Sequence, residues 1–372
     1  MIIIRKIAFW IPNLSTGGAE KVLSDILNLI DEDKFEITLI LLYKKGVYLE
    51  YIPKHIKILY IFPDIKNKFI IKFIEKIFIK YFPKLFYRLF INNHYDVEIA
   101  FLEGVCTKVV ANSSNNGIKI AWVHTDMCKF KWSNQFYRKG EEVECYSKFD
   151  KIVCVSDNAN DSFLKRFKEI DCNKTSIIYN PIIPNEIEEK ANKENIKYDD
   201  FTILSLGRLV EVKGFERLIR VHSRIIKRKK HNLVIVGDGP EREKLENLIN
   251  ELKVNDTVSL VGFKKNPYPY IKACDLYVCS SFAEGYPISM LEALVLEKPI
   301  ISTNITGPRD ILENGKYGLI VNNTEDGIFD GLMKILNDEI YYSKLKNVVV
   351  KRKAKLLADN SIKEIEDLIN ER

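Results

Sequence analysis

Cysteine is scarce: seven are spread over 372 residues, with no Cys-x-x-Cys pair and no histidine at metal-ligand spacing beside them. That excludes a disulfide framework and a structural zinc site, and it is expected of a reducing compartment. Most lie in apolar runs such as Lys151-Ile-Val-Cys-Val155, where a thiol acts as a small hydrophobe. An excess of one charge is also missing. The 57 basic residues stand against 51 acidic ones, a formal +6, which is too balanced for a nucleic-acid partner. At the N-terminus, Arg5 and Lys6 interrupt the opening apolar triplet before a signal-peptide core or membrane span could develop, so a cytoplasmic protein is expected. The dinucleotide fingerprint G-x-G-x-x-G is absent, as are internal repeats and low-complexity tracts. What is present is ordinary for a globular chain, 46% hydrophobic and 29% charged residues, at a length that suits two domains.

Short apolar runs alternate with longer amphipathic stretches along the whole chain. Ile7–Ile11, Ile37–Leu42, Val97–Phe101, Ile118–Trp122 and Ile152–Val155 read as one series of strands; Thr202–Leu206, Leu233–Val236, Val258–Leu260, Leu276–Cys279 and Ile300–Ser302 read as a second. Such runs separated by helical segments imply βαβ units, hence parallel sheets covered on both faces. Between the series, Asn180-Pro-Ile-Ile-Pro-Asn185 and the polar stretch after it mark a linker. The expected organisation is a Rossmann-like domain over 1–180, a linker over 181–200, a second Rossmann-like domain over 201–350, and a C-terminal helix over 351–372 that crosses back to the first. Two doubly wound α/β domains would face each other across a cleft, with ligands at the carboxyl ends of their strands.

The most informative stretch is Ser280-Ser-Phe-Ala-Glu-Gly-Tyr-Pro-Ile-Ser-Met-Leu-Glu-Ala-Leu294. It follows a buried strand, turns at Gly285 and Pro287, and continues as a helix. Glu284 stands in the turn, where a carboxylate can accept hydrogen bonds from sugar hydroxyls. Glu292 stands eight positions on, where it can hold a ribose diol, and the free N–H groups between Ile288 and Leu291 point toward an anion. Spacing alone does not separate this from a turn glutamate and a solvated one. In Leu206-Gly-Arg-Leu-Val-Glu-Val-Lys-Gly214, Gly207 permits a close turn, and Arg208 and Lys213 can converge on one phosphate or simply face solvent. Gly17 and Gly18 lie between the first strand and first helix, where backbone N–H groups meet a positive helix end. Gly237 and Gly262 end strands of the second series, with Phe263 beside the latter. His124, followed by Asp126, stands just past a first-domain strand; a lone histidine there is structural or functional. Asp31-Glu-Asp33 fits the metal-binding D-x-D pattern only formally and reads as a solvated turn.

These segments together resemble the large retaining glycosyltransferase family with the GT-B fold, the family four group whose signature is E-x7-E. The resemblance covers nearly the whole chain and is strongest from Leu204 to Val321. It implies that Glu284, with Gly285, Tyr286, Pro287, Ile288 and Ser289, contacts the donor sugar and diphosphate, and that Glu292 holds the ribose. Gly207, Arg208 and Lys213 would bind the diphosphate, Gly17 and Gly18 would face it, and Gly237, Gly262 and Phe263 would seat the nucleotide. His124, Glu284, Arg208 and Lys213 would form the catalytic set. The resemblance further implies transfer of a hexose or N-acetylhexosamine from a nucleotide-sugar donor, UDP by family frequency, to a saccharide acceptor, with retention and with neither cofactor nor metal. The acceptor would be lipid-linked, as for many relatives. Thr306-Gly-Pro-Arg-Asp310 departs from the glycine-rich run ending in Pro-Glu that many relatives carry, which bears on donor choice. A sugar-nucleotide epimerase and a non-catalytic sugar-nucleotide-binding membrane protein are the alternatives.

Lys66–Asn92 stands apart in composition. Lys68, Lys72, Lys76, Lys80, Lys84 and Arg88 recur every four residues among phenylalanines and isoleucines. A four-residue repeat drifts by about 40° per step on an α-helix, so the stripe winds, and Pro83 kinks or breaks it. Lysine stems beside aromatics suit a helix at an anionic membrane surface, giving peripheral contact through 66–92 at the inner face of the cell membrane. Helices that merely cover the first sheet are the other expectation.

Overall fold

A computed structural model of the chain describes residues 4–15, 17–62, 75–129, 131–357 and 360–371. Among the described residues, thirteen strands form two sheets. The first holds β1 (Arg5–Ile11), β2 (Phe35–Tyr43), β3 (Lys57–Phe62), β4 (Val97–Ala100), β5 (Ile118–Val123), β6 (Lys151–Cys154) and β7 (Thr175–Ile177). The second holds β8 (Thr202–Leu206), β9 (Asn232–Val236), β10 (Val258–Gly262), β11 (Leu276–Cys279), β12 (Ile300–Thr303) and β13 (Leu319–Val321). Their orders are β3-β2-β1-β4-β5-β6-β7 and β10-β9-β8-β11-β12-β13, with parallel pairing throughout. Central strands are continuous apolar runs because helices cover both faces; Ile7 to Ile11 have no exposed surface.

In each sheet the winding reverses beside the first strand of its series, between β1 and β4 and between β8 and β11. At such a point the connecting loops diverge to opposite faces and leave room for a ligand at the strands' carboxyl ends. The loop carrying Gly17 follows β1, the loop carrying Arg208 and Lys213 follows β8, and the loop carrying Glu284 follows β11. The topology therefore explains why chemistry-bearing residues so far apart in sequence share sheet edges.

The chain divides into two compact units, Met1–Pro181 with Asn360–Arg372, and Ile182–Asp359. Helix Glu339–Leu357 belongs to the second unit and helix Ser361–Asn370 to the first. The latter buries Ile365, Leu368 and Ile369. Arg5 Nη1 donates to the Ile369 carbonyl at 2.5 Å, and Lys34 pairs with Glu366 at 2.8 Å. Part of the stretch read as linker is structured: Pro184–Ala191 forms a helix with Ile187 and Ala191 buried, started by a proline whose missing N–H costs nothing at that position. β3, β7 and β13 were not expected from the sequence. All three are edge strands, and none is a continuous buried run; β7 is half-buried throughout.

Of the basic segment, residues 66–74 lie outside the described residues. Beyond them come a π-helical turn, Glu75–Ile79, and the helix Pro83–Phe90. That helix buries Phe86 and Tyr87 and exposes Leu85, Leu89 and Phe90 together with Lys84 and Arg88. Tyr87 anchors it from within, its hydroxyl donating to Glu98 Oε1 at 2.8 Å. Among the described residues no helix is long and apolar enough to cross a membrane.

Candidate active site

In the second unit the β8 and β11 loops are stitched together by short hydrogen bonds. The Phe282 N–H donates to the Val212 carbonyl at 2.8 Å, and the Ser280 hydroxyl to the Lys213 carbonyl at 3.0 Å. Lys213 Nζ and the Ser281 hydroxyl both reach Glu284 Oε1 at 2.6 Å. Burial pulls the ammonium toward neutrality, and the Glu284 charge more than restores it, so the Lys213 pKa stands above the ordinary lysine value. The pair is 24% and 14% exposed, open enough to meet a ligand and dry enough for charge to count. Thr306 closes the other side, its hydroxyl donating to the Glu284 carbonyl at 3.2 Å. The next residue, Gly307, lies against the Gly285 carbonyl.

Arg208, one residue past Gly207, is exposed, and its guanidinium makes no ion pair among the described residues. At the neighbouring strand ends, Gly237 has a φ of +145°, and a Cβ there would stand 1.9 Å from the Gly207 carbonyl oxygen. Only glycine fits such an approach. The Gly237 N–H donates to the Gly262 carbonyl at 3.0 Å, so Gly207, Gly237 and Gly262 form a side-chain-free ledge across three adjacent strands, with exposed Phe263 beyond it. Helix Ile288–Val295 begins at Pro287. The Tyr277 hydroxyl donates to Ser289 Oγ at 2.8 Å and lies 3.5 Å from the Leu206 carbonyl, which fixes the helix start beside the end of β8. Tyr286 and Ile288 are buried around that turn. Glu292 sits deeper on the same helix, 3% exposed, and accepts from the Tyr268 hydroxyl at 3.0 Å.

In the first unit His124 is buried, with Nε2 2.8 Å from the Phe101 carbonyl. A carbonyl only accepts, so Nε2 carries the proton and Nδ1 of the neutral ring keeps a free lone pair. Burial brings the His124 pKa down to about 4, against a smaller upward pull from the Phe101 carbonyl. Glu103 holds the loop: its Oε1 accepts from the backbone N–H groups of His124 at 2.7 Å and Thr125 at 3.0 Å. Asp126 is a turn cap, accepting from the Cys128 N–H at 3.1 Å. Gly17 precedes the helix Gly18–Leu29, and the Glu20 carboxylate folds back against it. Asp31 pairs with Lys34 at 2.9 Å and accepts from the Asp33 N–H at 3.0 Å. Among the described residues no group of three acidic, histidine or cysteine side chains could hold a metal ion.

The family described as glycosyl transferases group 1 matches residues 186–354. An uncharacterized glycosyltransferase of Methanocaldococcus jannaschii is 31% identical over 75% of this chain and 71% of its own length. The N-acetylgalactosamine-N,N'-diacetylbacillosaminyl-diphospho-undecaprenol 4-alpha-N-acetylgalactosaminyltransferase of Campylobacter jejuni is 30% identical over 98% of this chain and 99% of its own. This chain is a group 1 glycosyltransferase. Its fold is GT-B: Anabaena HepE, solved with UDP and glucose, superposes with a TM-score of 0.76 over 99% of this chain and 100% of that one, at 17% identity. A glycosyltransferase, unlike an epimerase, needs a second substrate to accept the sugar.

Gly207, Lys213 and Glu284, all expected as site residues, lie together in the structure. Ser281 and Thr306 touch Glu284, Tyr268 touches Glu292, Glu103 holds the His124 loop and Arg217 the Ser280–Phe282 backbone; no motif spells these supporting roles. Arg217 alone left a signal: it falls among the buried positions Phe215, Leu218, Ile219 and His222 of an otherwise amphipathic helix.

Proposed function

We propose that this glycosyltransferase moves a hexose or N-acetylhexosamine from a UDP-sugar to a lipid-linked saccharide, with retention at the anomeric carbon, in the building of a cell-surface polysaccharide. The observation that carries the donor assignment is the Lys213–Glu284 pair at 2.6 Å, set at the switch point between β8 and β11. Lys213 and Arg208 supply positive charge for the diphosphate, while Glu284 orders sugar hydroxyls. The glycine ledge and Phe263 seat the base and ribose, with Glu292 as the ribose acceptor. His124 offers the Nδ1 lone pair to a sugar hydroxyl.

The acceptor oxygen bonds to the anomeric carbon on the face from which the phosphate oxygen departs. The bond to that phosphate breaks, and the hydroxyl proton passes to the departing diphosphate. Glu284 is already engaged by Lys213 and Ser281, so it suits ordering better than nucleophilic attack. The cations offset the growing diphosphate charge in place of a metal. The lipid-linked acceptor is supported by the full-length similarity to the Campylobacter enzyme, and peripheral membrane contact by the exposed leucines and cations of Pro83–Phe90.

The test is nucleoside diphosphate release over a panel of UDP- and GDP-sugars, with and without undecaprenyl-diphosphate-linked saccharides, in buffer and in EDTA. Release that requires acceptor and survives EDTA is expected. Conversion of donor without acceptor, or loss of activity in EDTA restored by a divalent ion, would overturn the corresponding part. Flotation with anionic liposomes should be weakened by L85E/L89E; unchanged flotation removes the membrane assignment.

A further inference from the structure

Arg217 is buried, 5% exposed, in the first turn of the helix Phe215–Ile225 and four residues beyond Lys213. Its Nε donates to the Ser280 carbonyl at 2.8 Å and its Nη2 to the Ser281 carbonyl at 2.8 Å, while its guanidinium lies 3.8 Å from the Phe282 ring centroid. These residues belong to the run that leads into Glu284, and a longer contact of 3.5 Å runs from Nη1 to the Asn323 carbonyl. The fit is tight, for a Cβ at Gly214 would stand 2.2 Å from the Ser280 oxygen and 2.7 Å from Arg217 Nε. The N–H groups are satisfied, yet the charge is not neutralised: among the described residues no carboxylate is within ion-pair distance of it. Burial lowers its pKa to about 10, opposed by Cys279 and Glu325.

A buried cation without a counter-ion is costly, and chains seldom keep one where an apolar side chain would pack as well. Carbonyl acceptors and an aromatic face offset part of that cost. The remainder is a standing positive field beneath the two loops that carry Lys213 and Glu284.

We propose that Arg217 is a positioning residue with a second, electrostatic role: it fixes the Ser280–Phe282 backbone under Glu284, and its unneutralised charge favours the diphosphate of the bound nucleotide. This rests on the donor assignment above. The two roles separate by substitution. Arg217→Lys keeps the charge and loses the fork, whereas Arg217→Gln loses the charge and keeps a donor for one carbonyl.

The experiment compares UDP with uridine by calorimetry on the wild-type protein and both variants, with melting temperatures alongside. In Arg217→Gln, UDP affinity should fall about tenfold while uridine affinity changes less than twofold, and the salt dependence of UDP binding should become shallower. Arg217→Lys should hold the UDP-to-uridine ratio within about twofold of wild type. Equal weakening of both ligands in Arg217→Gln would leave only a structural role and overturn the electrostatic one. If Arg217→Gln does not fold, Arg217→Lys decides: a folded variant that loses the ratio tenfold overturns the proposal. A wild-type protein that binds neither UDP nor GDP would instead remove the donor assignment and this inference with it.

Discussion

The β11 loop of the second unit and the β5 loop of the first handle their ionisable groups in opposite ways. Around Glu284 the ionisable groups are paired with one another and partly open, Lys213 against Glu284 at 2.6 Å, and under the proposed donor assignment a diphosphate would meet a pair already ordered. Around His124 the ring is held neutral, with one nitrogen committed to the Phe101 carbonyl and its backbone tied to a buried carboxyl. The contrast sets a charged pair in the second unit against a neutral ring with a free lone pair in the first. It also says where each is vulnerable: the first to removal of a partner, the second to anything that lets the ring titrate.

The largest expected effects come from breaking the charged side. Lys213→Ala and Arg208→Ala should each lower turnover by about 10²- to 10³-fold, the range for removing one group that meets developing charge. Near-normal turnover in Arg208→Ala would remove that residue from the site. Lys213→Met also strands Glu284 half-buried without its partner, and should lower stability by roughly 1–2 kcal/mol. Adding Glu284→Gln should recover most of that in denaturant titrations without restoring turnover. If the double variant is less stable than Lys213→Met, the two side chains are not one unit.

On the neutral side, His124→Ala should lower turnover by about 10–100-fold, as for loss of a single oriented polar contact. The sharper measurement is the pH profile. A ring with a pKa of about 4 is neutral across the working range, so the wild-type kcat/KM profile should show no inflection near 6.5 that disappears in His124→Gln. Such an inflection would show that the ring titrates, and the contrast between the two loops would collapse.

How much of this was legible beforehand follows the same division. Continuous apolar runs mark buried central strands, so the cores of both sheets could be read. Edge strands such as β7 have neither full burial nor alternation, and were invisible. Gly207, Lys213 and Glu284 lie in loops that follow readable strands directly, and the switch point gathers them. Their supports form no motif: Ser281 and Thr306 are ordinary loop hydroxyls, and Glu103, which holds the His124 loop, precedes that histidine by 21 positions. No local pattern reports that a carboxyl will be buried against another loop's backbone. Arg217 is the intermediate case, an anomaly in a helical pattern whose meaning needed its contacts.

A smaller effect should appear in stability against pH. His231 Nδ1 can only donate to the Lys229 carbonyl at 2.9 Å, and in a neutral ring its Nε2 then accepts from His222 Nδ1 at 2.9 Å. His222 Nε2 then accepts from the Thr257 hydroxyl at 2.9 Å. Burial lowers both pKa values, that of His222 to about 3 with His231 adding to the shift, so both rings are neutral. Unfolded histidine binds protons from about pH 6.5 downward while the folded rings do not, so stability falls with pH from there to the folded pKa values. His222→Gln should flatten the melting temperature between pH 6.5 and 4; an unchanged slope would place the acid sensitivity elsewhere.

The smallest expected effect probes the deep end of the charged side. Tyr268 donates its hydroxyl to Glu292 at 3.0 Å in a setting where the carboxylate is only 3% exposed. If Glu292 serves the ribose, Tyr268 aims one of its oxygens and leaves the aiming of the reacting sugar to Glu284. Tyr268→Phe keeps the ring and its packing, so the loss is one hydrogen bond to a charged group, about 1–2 kcal/mol at most and less once water or the ribose takes its place. The donor KM should rise about two- to fivefold with kcat unchanged, because a ribose contact is made equally in the ground and transition states. A fall in kcat at constant KM would mean that the helix carrying Glu292 takes part in the chemical step, and that the two glutamates do not divide their work between nucleoside and sugar.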